Sequence, residues 1–508
     1  MGGGEAPLDS AAVQEHIDAI GFGPFQIITL LATGGLMFAE GSEVLVMGSI
    51  TTLLDGHWEL TPILRGAMVS IVFVGFAIGN LLSGQIGDRL GRRPSILLAY
   101  WLIGGFGFAT GVALDPVMMV SLRFGVGLGC GIGFPSVYTI VSEVCPTHVR
   151  GSITTLMIGF MPLGEIFAAL LVLFVDKDLD HSQELCEMFE HWPNLLRPVE
   201  CTWRTMCELS SLPAFVFLAF STMLLTESPQ YLVAHGRIDD ARLVLQRMAR
   251  RNGKTVDTGD LGDCAMEGPS ASPTTYSFAD ALGQLVGGGM LCTVLFMMCA
   301  HFTKDFAVFG MNYVLPQYFH QLENHFSTGS QLLLMSFISL PGVAMAFALT
   351  RLDFIGHIPC MRGAAALAAF FSFGMLELTS THVWGDASEH LGAFSAFLAK
   401  SMAMVYFICT GVYTSEFFPP KFRNTGIGLC VAFGRCGSIS APLIFELSYS
   451  SADGSFDVFV AIVMTSMLFI SAFAGRVLTV ETKGRQAAGF DAGSVSAEKR
   501  SRSYGSTD

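Results

Sequence analysis

Long apolar stretches are the feature that most constrains the fold of this chain. Twelve runs of about 20 residues carry little charge, and each is long enough to cross a bilayer as a helix. They lie near 25–52, 63–85, 94–113, 117–141, 152–175, 206–225, 288–316, 329–350, 361–380, 391–415, 425–447 and 456–478. Only 14% of the 508 residues are charged, against about 25% in soluble domains. The sequence therefore predicts an all-α membrane protein with twelve transmembrane helices.

The basic residues in the loops and at the ends of these runs indicate which side each loop faces. An even number of spans places both termini on one side, and the segments on that side hold 20 of the 28 Lys and Arg residues. The opposite loops hold four of them: Arg65, Lys177, Arg197 and Arg204. Because cytoplasmic loops carry an excess of Lys and Arg, we expect both termini in the cytoplasm.

Charge and motifs also limit the classes of function. The formal net charge of −14 argues against a nucleic-acid partner. The twelve cysteines include no C-x-x-C pair, and no nucleotide-binding loop or catalytic triad order is present. We therefore predict no cofactor, no metal site and no enzymatic activity.

One predicted cytoplasmic segment divides the chain into two halves. Ser228-Pro229 is typical of a helix start, a second helical pattern runs from Ile238 to Asn252-Gly253, and 255–276 has a flexible composition. The predicted parts are a cytoplasmic segment 1–24, a six-helix bundle 25–226, a cytoplasmic helical linker 227–285, a second six-helix bundle 286–480 and a disordered tail 481–508. In the opposite loop 176–204, Cys186 and Cys201 are candidates for a disulfide, although free thiols fit the sequence equally well.

A short motif recurs at the same place in both predicted bundles. Its three members return 273 residues later, after the fourth and the tenth span: Glu143, Pro146 and Arg150 as Glu416, Pro419 and Arg423. A duplicated arrangement of six plus six spans is typical of transporters with a solute path between the halves.

These motifs resemble those of the major facilitator superfamily. The run Gly87–Pro94 is similar to the signature loop of that superfamily, and Arg123-Phe124-Gly125 with Glu227-Ser228-Pro229 resembles its sugar-porter-like branch. Within the branch, 39–44 and 413–419 are most similar to synaptic-vesicle-2-related proteins, whose bacterial relatives carry aromatic acids and nicotinate. The resemblance implies alternating access by a chain that acts as a monomer. The second copy of the signature loop, 351–357, is degraded, which suggests a looser latch in that half.

The motif residues are candidates for a cytoplasmic gate. Asp88 could sit at a helix N-terminus, and Arg92 and Arg93 could pair with acids such as Glu143 when the inner side is closed. The alternative is a turn with charges that only orient the helices. The gate set comprises Asp88, Arg92, Arg93, Glu143, Arg150, Glu227, Glu416 and Arg423. The alternating glycines from Gly125 to Gly133 indicate close helix packing rather than phosphate binding.

Charges inside predicted spans are costly in lipid and are usually functional. These residues are Glu40, Glu43, Arg123, Glu165, Lys304, Asp305, Lys400, Arg435 and Glu446. We expect Glu40 or Glu43 to pair with Arg123 and to carry the coupled proton, as the resemblance also implies. The alternative is that Arg123 only extends towards water from the outer end of its span.

The remaining polar residues are candidates to line a substrate cavity. His301, Lys304 and Asp305 share one helical face, where they could meet an anion and relay protons, or could merely join the halves. Further cavity candidates are Glu165, Asn312, Tyr313, Lys400 and Arg435. Glu165 follows Pro162 and Gly164, which suggest a kink, and Glu446 is expected to pair near the outer end of its span.

The sequence thus predicts a proton-coupled secondary transporter of a small organic solute, with an organic anion favoured. Its expected partners are the solute, protons and the lipid bilayer, in the plasma membrane or an intracellular vesicle membrane. The alternatives are an organic cation/proton exchanger, a sugar facilitator and, from another class, a non-transporting vesicle membrane protein.

Overall fold

A computed structural model describes most of the chain. The described residues are 8–58, 60–179, 201–255, 291–321, 326–352, 355–380, 386–418, 423–449 and 458–478. The predicted flexible part of the linker, the tail and both candidate disulfide cysteines, Cys186 and the side chain of Cys201, lie outside what is described.

The described residues form helices and no strands. In chain order these are α1 (Leu8–Ile20), α2 (Pro24–Trp58), α3 (Pro62–Leu90), α4 (Arg92–Thr110), α5 (Pro116–Val144), α6 (Arg150–Ile158), α7 (Phe160–Val175), α8 (Cys201–Leu224), α9 (Pro229–Ala234), α10 (Ile238–Arg251), α11 (Leu291–Gln321), α12 (Thr328–Arg351), α13 (His357–Ser380), α14 (Asp386–Phe417), α15 (Arg423–Tyr449) and α16 (Val458–Ala474), followed by a 3₁₀ turn at Gly475–Val477.

Every predicted span coincides with a helical segment. Ten stretches of the described chain are long and apolar enough to cross a membrane. The other two predicted spans correspond to α4, with 19 residues, and α16, with 17. The fifth predicted span is divided between α6 and α7 at Gly159, so the interruption lies before Pro162 rather than at Pro162-Gly164. Pro162 therefore lies in the first turn of α7, where a proline is tolerated because its missing N–H is not needed for a helical hydrogen bond.

The glycines of α5 allow close helix packing, as the sequence predicts. A Cβ atom at Gly127 or Gly131 would meet the backbone of α3, whereas one at Gly125, Gly129 or Gly133 would meet side chains of α4. Residues four apart share one helix face, so alternate glycines serve the two neighbouring helices. No strand or phosphate-binding geometry is involved.

The helices before and after the linker pack against each other in a symmetric way. We call α2–α8 the N-terminal group and α11–α16 the C-terminal group. The second predicted span, α3, packs on the eleventh, α15, and the fifth, α7, packs on the eighth, α12. An offset of six spans converts one contact into the other, which is the arrangement that the repeated motif predicts.

One end of the helix bundle is covered by α1, α9 and α10, and we call this end the linker face. Ser228 accepts a hydrogen bond from the backbone N–H of Tyr231 and caps α9, as predicted. The positive φ of Gly236 (71°) and Gly253 (68°) allows the chain to turn where α9 and α10 end. Helix α1 was not among the predicted helices, although Val13, Ile17 and Ile20 are buried at helical spacing.

Asp18 fastens α1 to the turn before α6. Its carboxylate accepts hydrogen bonds of 2.8 Å from both the backbone N–H and the hydroxyl of Thr147. Partial burial acts to raise the pKa of Asp18, but these hydrogen bonds, with Gln14 and Arg150 nearby, outweigh it and lower the pKa. Because the pKa of Asp18 is lower in the folded protein, its ionised carboxylate stabilises the docking of α1 at pH values above the ordinary carboxyl pKa of about 3.9. This stabilisation is lost as the pH falls through the lowered pKa.

We expect Asp18→Asn to accelerate backbone hydrogen exchange in α1 at neutral pH. The exposed carboxylate is screened by water, so the loss should be below about 1 kcal/mol, or at most roughly fivefold in exchange. Hydrogen–deuterium exchange with mass spectrometry would measure it, with Glu15→Gln on the exposed side of α1 as the matched control. An unchanged exchange rate in Asp18→Asn would contradict this role.

Candidate functional site

Each of the five acids predicted inside the membrane lies next to a basic side chain. The five pairs are Glu43–Arg123, Glu40–Arg435, Asp305–Lys304, Glu165–Lys400 and Glu446–Arg65. Three of these pairs join the N-terminal group to the C-terminal group, and two lie within one group. Burying an ion without its partner is very costly, so this pairing explains how so many charges are tolerated between apolar helices.

Arg123 pairs with Glu43 inside the N-terminal group. A guanidinium nitrogen of Arg123 donates to one carboxylate oxygen of Glu43, and the hydroxyl of Ser210 donates to the other at 3.1 Å. Arg123 is fully buried, and it also contacts the sulfur of Cys207 at 3.8 Å. The alternative in which Arg123 extends towards water is therefore wrong, because α2, α5 and α8 enclose its side chain.

Glu40, one turn before Glu43, faces the C-terminal group instead. The Oε1 atom of Glu40 lies 3.9 Å from Nη2 of Arg435 on α15. The Nη1 atom of Arg435 lies 3.8 Å from Oδ2 of Asp305, whose Oδ1 pairs with Nζ of Lys304 at 2.5 Å. We call these four side chains the central cluster: Glu40, Arg435, Asp305 and Lys304.

Aromatic rings surround both cations of the central cluster. The guanidinium carbon of Arg435 lies 3.8 Å from the centroid of the Phe76 ring and 5.2 Å from that of Phe309. Nζ of Lys304 lies 3.9 Å from the centroid of Phe407. Cations over aromatic faces are stabilised electrostatically, which partly replaces the hydration lost on burial.

Glu165 and Lys400 form the second connection between the groups. Their Oε2 and Nζ atoms are 2.9 Å apart, and Glu165 is fully buried on α7. Asn312 on α11 joins them, since its amide donates to Oε1 of Glu165 at 2.8 Å and its carbonyl oxygen accepts from Lys400. The predicted cavity residues Glu165, Asn312 and Lys400 are thus brought together.

The third connection lies at the end of the bundle opposite the linker face. Nε of Arg65 on α3 lies 2.6 Å from Oε2 of Glu446 on α15, and the hydroxyl of Tyr313 donates to Oε1 of Glu446. We call Arg65, Glu446 and Tyr313 the distal latch. Arg65 was counted with the loops from the sequence, but it lies in the first turn of α3 and its side chain is buried against Glu446.

The imidazole of His301 pairs with a hydroxyl group on another helix. Its Nε2 atom lies 2.8 Å from the hydroxyl oxygen of Thr414 on α14. Lys304 and Asp305 instead contact each other, although all three residues lie on one stretch of α11. A proton relay along this face is therefore not formed in this conformation.

On the linker face, the predicted gate residues join helices of the N-terminal group. Arg92 lies 3.6 Å from Glu143, and Glu227 accepts a hydrogen bond from the backbone N–H of Arg92 at 3.0 Å. Arg93 donates to the carbonyl oxygen of Leu225 at 2.8 Å. These contacts link the start of α4 to α5 and to the segment before α9.

Other members of the gate set have different surroundings. Arg150 donates to Oε1 of Gln14 on α1 at 2.8 Å. Asp88 lies in the last turn of α3, so the backbone does not place it at the start of α4, and its side chain lies outside the described part. The side chains of Glu416 and Arg423 are also outside it. On this face, Arg351 of the C-terminal group donates a hydrogen bond of 3.1 Å to the hydroxyl oxygen of Ser152 in the N-terminal group.

The described residues contain no group of three or more His, Cys, Asp and Glu side chains that could hold a metal ion. The features that they do contain are apolar helices of membrane-spanning length, two groups related by an internal repeat, and charges paired between these groups. Such features define an integral, multi-pass membrane transporter of the major facilitator type.

Comparison with known proteins confirms this class. The family model described as "Sugar (and other) transporter" matches residues 28–492, and the chain belongs to this family. It is 29% identical over 477 residues to the niacin transporter NiaP of Acinetobacter baylyi, covering 92% of this chain and 97% of that protein. It is 25% identical to the synaptic vesicle 2-related protein of Xenopus laevis (94% and 82% covered) and 23% identical to organic cation/carnitine transporter 7 of Arabidopsis thaliana (93% and 95%).

Solved structures show the same fold. The xylose transporter XylE from E. coli, in a partially occluded inward-open conformation, superimposes with a TM-score of 0.68 at 19% identity, covering 91% of this chain and 99% of that chain. The predicted resemblance to the sugar-porter-like branch and to synaptic-vesicle-2-related proteins is confirmed. The chain is a membrane transporter of this branch rather than an enzyme.

Proposed function

We propose that this protein is a secondary active transporter that moves a small organic solute by alternating access, coupled to protons, with an organic anion favoured. The observation that carries this proposal is the row of ion pairs between the two groups. Glu40–Arg435 and Glu165–Lys400 connect α2 and α7 to α15 and α14 in the interior of the bundle. Pairs that join two rigid bodies break and re-form when these bodies rock, which is how a two-state carrier is built.

The architecture that we propose has twelve membrane crossings. The N-terminal bundle spans 25–226 and the C-terminal bundle 286–480, with the linker 227–285, the segment 1–24 and the tail 481–508 in the cytoplasm. The distribution of Lys and Arg supports this orientation. The linker face is then the cytoplasmic face, where Arg92, Glu143 and Glu227 hold the N-terminal bundle together.

The coupled proton would bind a carboxylate of α2, and both Glu40 and Glu43 are candidates. Each lies beside a guanidinium, and a carboxylate that leaves such a partner in an apolar cavity takes up a proton readily. Arg123 would supply the counter-charge of Glu43. His301, Lys304, Asp305, Asn312 and Tyr313 would line the solute path with Glu165, Lys400 and Arg435.

The favoured solute class rests on the buried bases and on one relative. Lys304, Lys400 and Arg435 lie in the C-terminal group, where a carboxylate could meet them. Niacin, named for the relative in A. baylyi, is such a carboxylate, whereas the relative in A. thaliana is named for organic cations and carnitine. Organic cation exchange and sugar facilitation are therefore the alternatives from which an experiment must distinguish organic anion transport. The membrane would be the plasma membrane or that of a vesicle.

Uptake into proteoliposomes with an internal pH dye tests this proposal. Pools of organic acids, amines and sugars would be offered to vesicles that contain the full-length protein. We expect the acid pool to acidify the lumen, because each anion enters with a proton. Alkalinisation of acid-loaded vesicles by the amine pool would instead establish exchange. If correctly inserted protein takes up none of the three pools, the alternative of a membrane protein that does not transport is favoured.

A further inference from the structure

Among the described residues, Arg435 is the buried charged side chain with the most atoms that lack a hydrogen-bond partner. It is 2% exposed, and within the described residues its Nε and Nη1 atoms have no hydrogen-bond partner. Its two acidic neighbours, Glu40 and Asp305, lie 3.9 and 3.8 Å away, which is too far for hydrogen bonds. A guanidinium presents its donors in a fork that matches a carboxylate, and here part of that fork is unused.

The two acids beside Arg435 are held differently. Asp305 already pairs with Lys304 at 2.5 Å, so its charge is engaged within α11. Glu40 has Arg435 as its nearest base, and its Oε1 atom accepts no hydrogen bond from the residues described. Since Glu40 and Arg435 belong to different groups, their contact changes when the groups move apart, whereas the pair of Asp305 and Lys304 does not.

We propose that Arg435 alternates between Glu40 and the carboxylate of the transported solute, so that Glu40 is the acid that carries the coupled proton. This inference rests on the proposed function and names the residues that couple its two substrates. When Glu40 is ionised, its carboxylate is the partner of the Arg435 guanidinium. When a proton neutralises Glu40, the fork of Arg435 becomes available to the solute, and both substrates are then bound.

The net charge of the central cluster explains why the coupling is strict. With Glu40 ionised, two acids and two bases give a neutral cluster. Protonation of Glu40 alone leaves one positive charge, and a bound carboxylate restores neutrality. Because an uncompensated charge between apolar helices is costly, only the neutral states can close and reorient. The empty carrier and the carrier loaded with both proton and anion are neutral.

The other groups near Glu40 do not replace it in this role. On α5, Cys130 and Tyr138 lie near the cluster, and on α11 His301 lies near its members Lys304 and Arg435. On α7, Glu165 is engaged by Lys400 and Asn312. Glu43 is held by Arg123 and Ser210 within the N-terminal group, so movement of the two groups leaves its partners in place.

Calorimetric titration of the purified full-length protein with benzoate, used as the probe, tests the exchange. Titrations in buffers of different ionisation enthalpy count the protons taken up with each ligand. We expect the wild type to take up about one proton per benzoate, with affinity falling about tenfold per pH unit once Glu40 ionises. Benzamide, which has the same shape but no charge, should bind weakly and without proton uptake.

Three variants separate the residues. Glu40→Gln should bind benzoate with a pH-independent affinity and without proton uptake, because its side chain is permanently neutral. Arg435→Gln should weaken benzoate binding by roughly tenfold to a hundredfold, which is the range for charge-assisted hydrogen bonds. Glu208→Gln on α8, whose carboxylate lies beside Arg204 and not in the central cluster, should retain the proton uptake. Infrared difference spectra identify the protonated acid without a Glu43 variant: benzoate should produce a protonated-carboxyl band in the wild type that is missing in Glu40→Gln.

The proposal is overturned if the wild type binds benzoate without a proton, or if Glu40→Gln keeps the proton uptake. It is also overturned if no benzoate binds while the proteoliposomes accumulate an amine or a sugar; the transport function then stands. Conversely, proton-linked benzoate binding without uptake of any solute would overturn the transport function and leave the exchange at Arg435 in place.

Discussion

Arg123→Met is expected to lower the free energy of unfolding by about 3–5 kcal/mol, because Glu43 is left as a buried charge without its base. Glu43→Gln should cause a comparable loss by leaving Arg123 unneutralised. The double variant Glu43→Met/Arg123→Met should be more stable than either single variant, since no charge remains and the volume is similar. Unfolding in mixed micelles with sodium dodecyl sulfate, followed by circular dichroism, measures all three.

An exposed ion pair on the linker face provides the matched control for this first prediction. Arg237, directly before α10, and Asp240 in its first turn are 2.8 Å apart, with about half of each side chain exposed. Asp240→Asn should change the free energy of unfolding by about 0.2–1 kcal/mol, because water screens the pair. If Arg123→Met lowers the free energy of unfolding no more than Asp240→Asn does, the Glu43–Arg123 pair does not stabilise the N-terminal group.

Glu446→Gln is expected to open the end of the bundle opposite the linker face. Glu446 accepts from Arg65 on α3 and from Tyr313 on α11, so one carboxylate holds both groups together. Hydrogen bonds to a charged group contribute about 1.5–3 kcal/mol, and about 1.4 kcal/mol changes a conformational ratio tenfold. Loss of the charge should therefore raise the population open at this end by roughly tenfold to a hundredfold.

The labelling rate of native Cys130 measures this second effect. Cys130 is buried beside the central cluster, so a membrane-impermeant maleimide reaches it when the path opens. Mass spectrometry of the labelled peptide from sealed vesicles identifies the site. The matched control is Glu208→Gln on α8, whose nearest base, Arg204, lies on the same helix and donates to carbonyl oxygens of Gly111 and Ala113. Equal labelling rates in Glu446→Gln and this control would show that the distal latch does not hold the bundle closed.

The distal latch and the central cluster act at different depths of the same interface. Arg65–Glu446 is supported by a second connection between the same helices, in which the hydroxyl of Ser70 donates to the carbonyl oxygen of Ile439 at 2.8 Å. Both contacts must separate before a solute can approach Arg435 from that end. In such a carrier, Glu446→Gln would change the accessibility of the interior to a label, whereas Glu40→Gln would change the proton uptake that accompanies ligand binding. Opening of the bundle and proton binding can therefore be measured separately.

Several site residues were predictable because their signals are local. A charge such as Glu165 or Lys400 inside an apolar run is visible wherever it occurs, since lipid tolerates few of them. The repeat of Glu143 and Arg150 as Glu416 and Arg423 predicts two halves in the same way. The burial of Arg65 was not predicted, because a base at the start of a span has the same pattern whether it faces water or a partner. The aromatic contacts of Arg435 were not predicted either, since Phe76 and Phe309 resemble ordinary apolar residues in the sequence.

The helical segments, the superfamily and the charges inside apolar runs could be predicted from residue order alone, and a duplicated arrangement of two halves was predicted in the same way. These properties depend on apolar length, motif spacing and residue type, which are read along the chain. The pairing of Arg123 with Glu43, and of Arg435 with Glu40, is visible only in the folded protein. Two carboxylates one turn apart have equivalent local surroundings, and the choice of partner depends on how α2 is rotated against α5 and α15. Contacts among helices far apart in sequence set that rotation, and no local pattern specifies it.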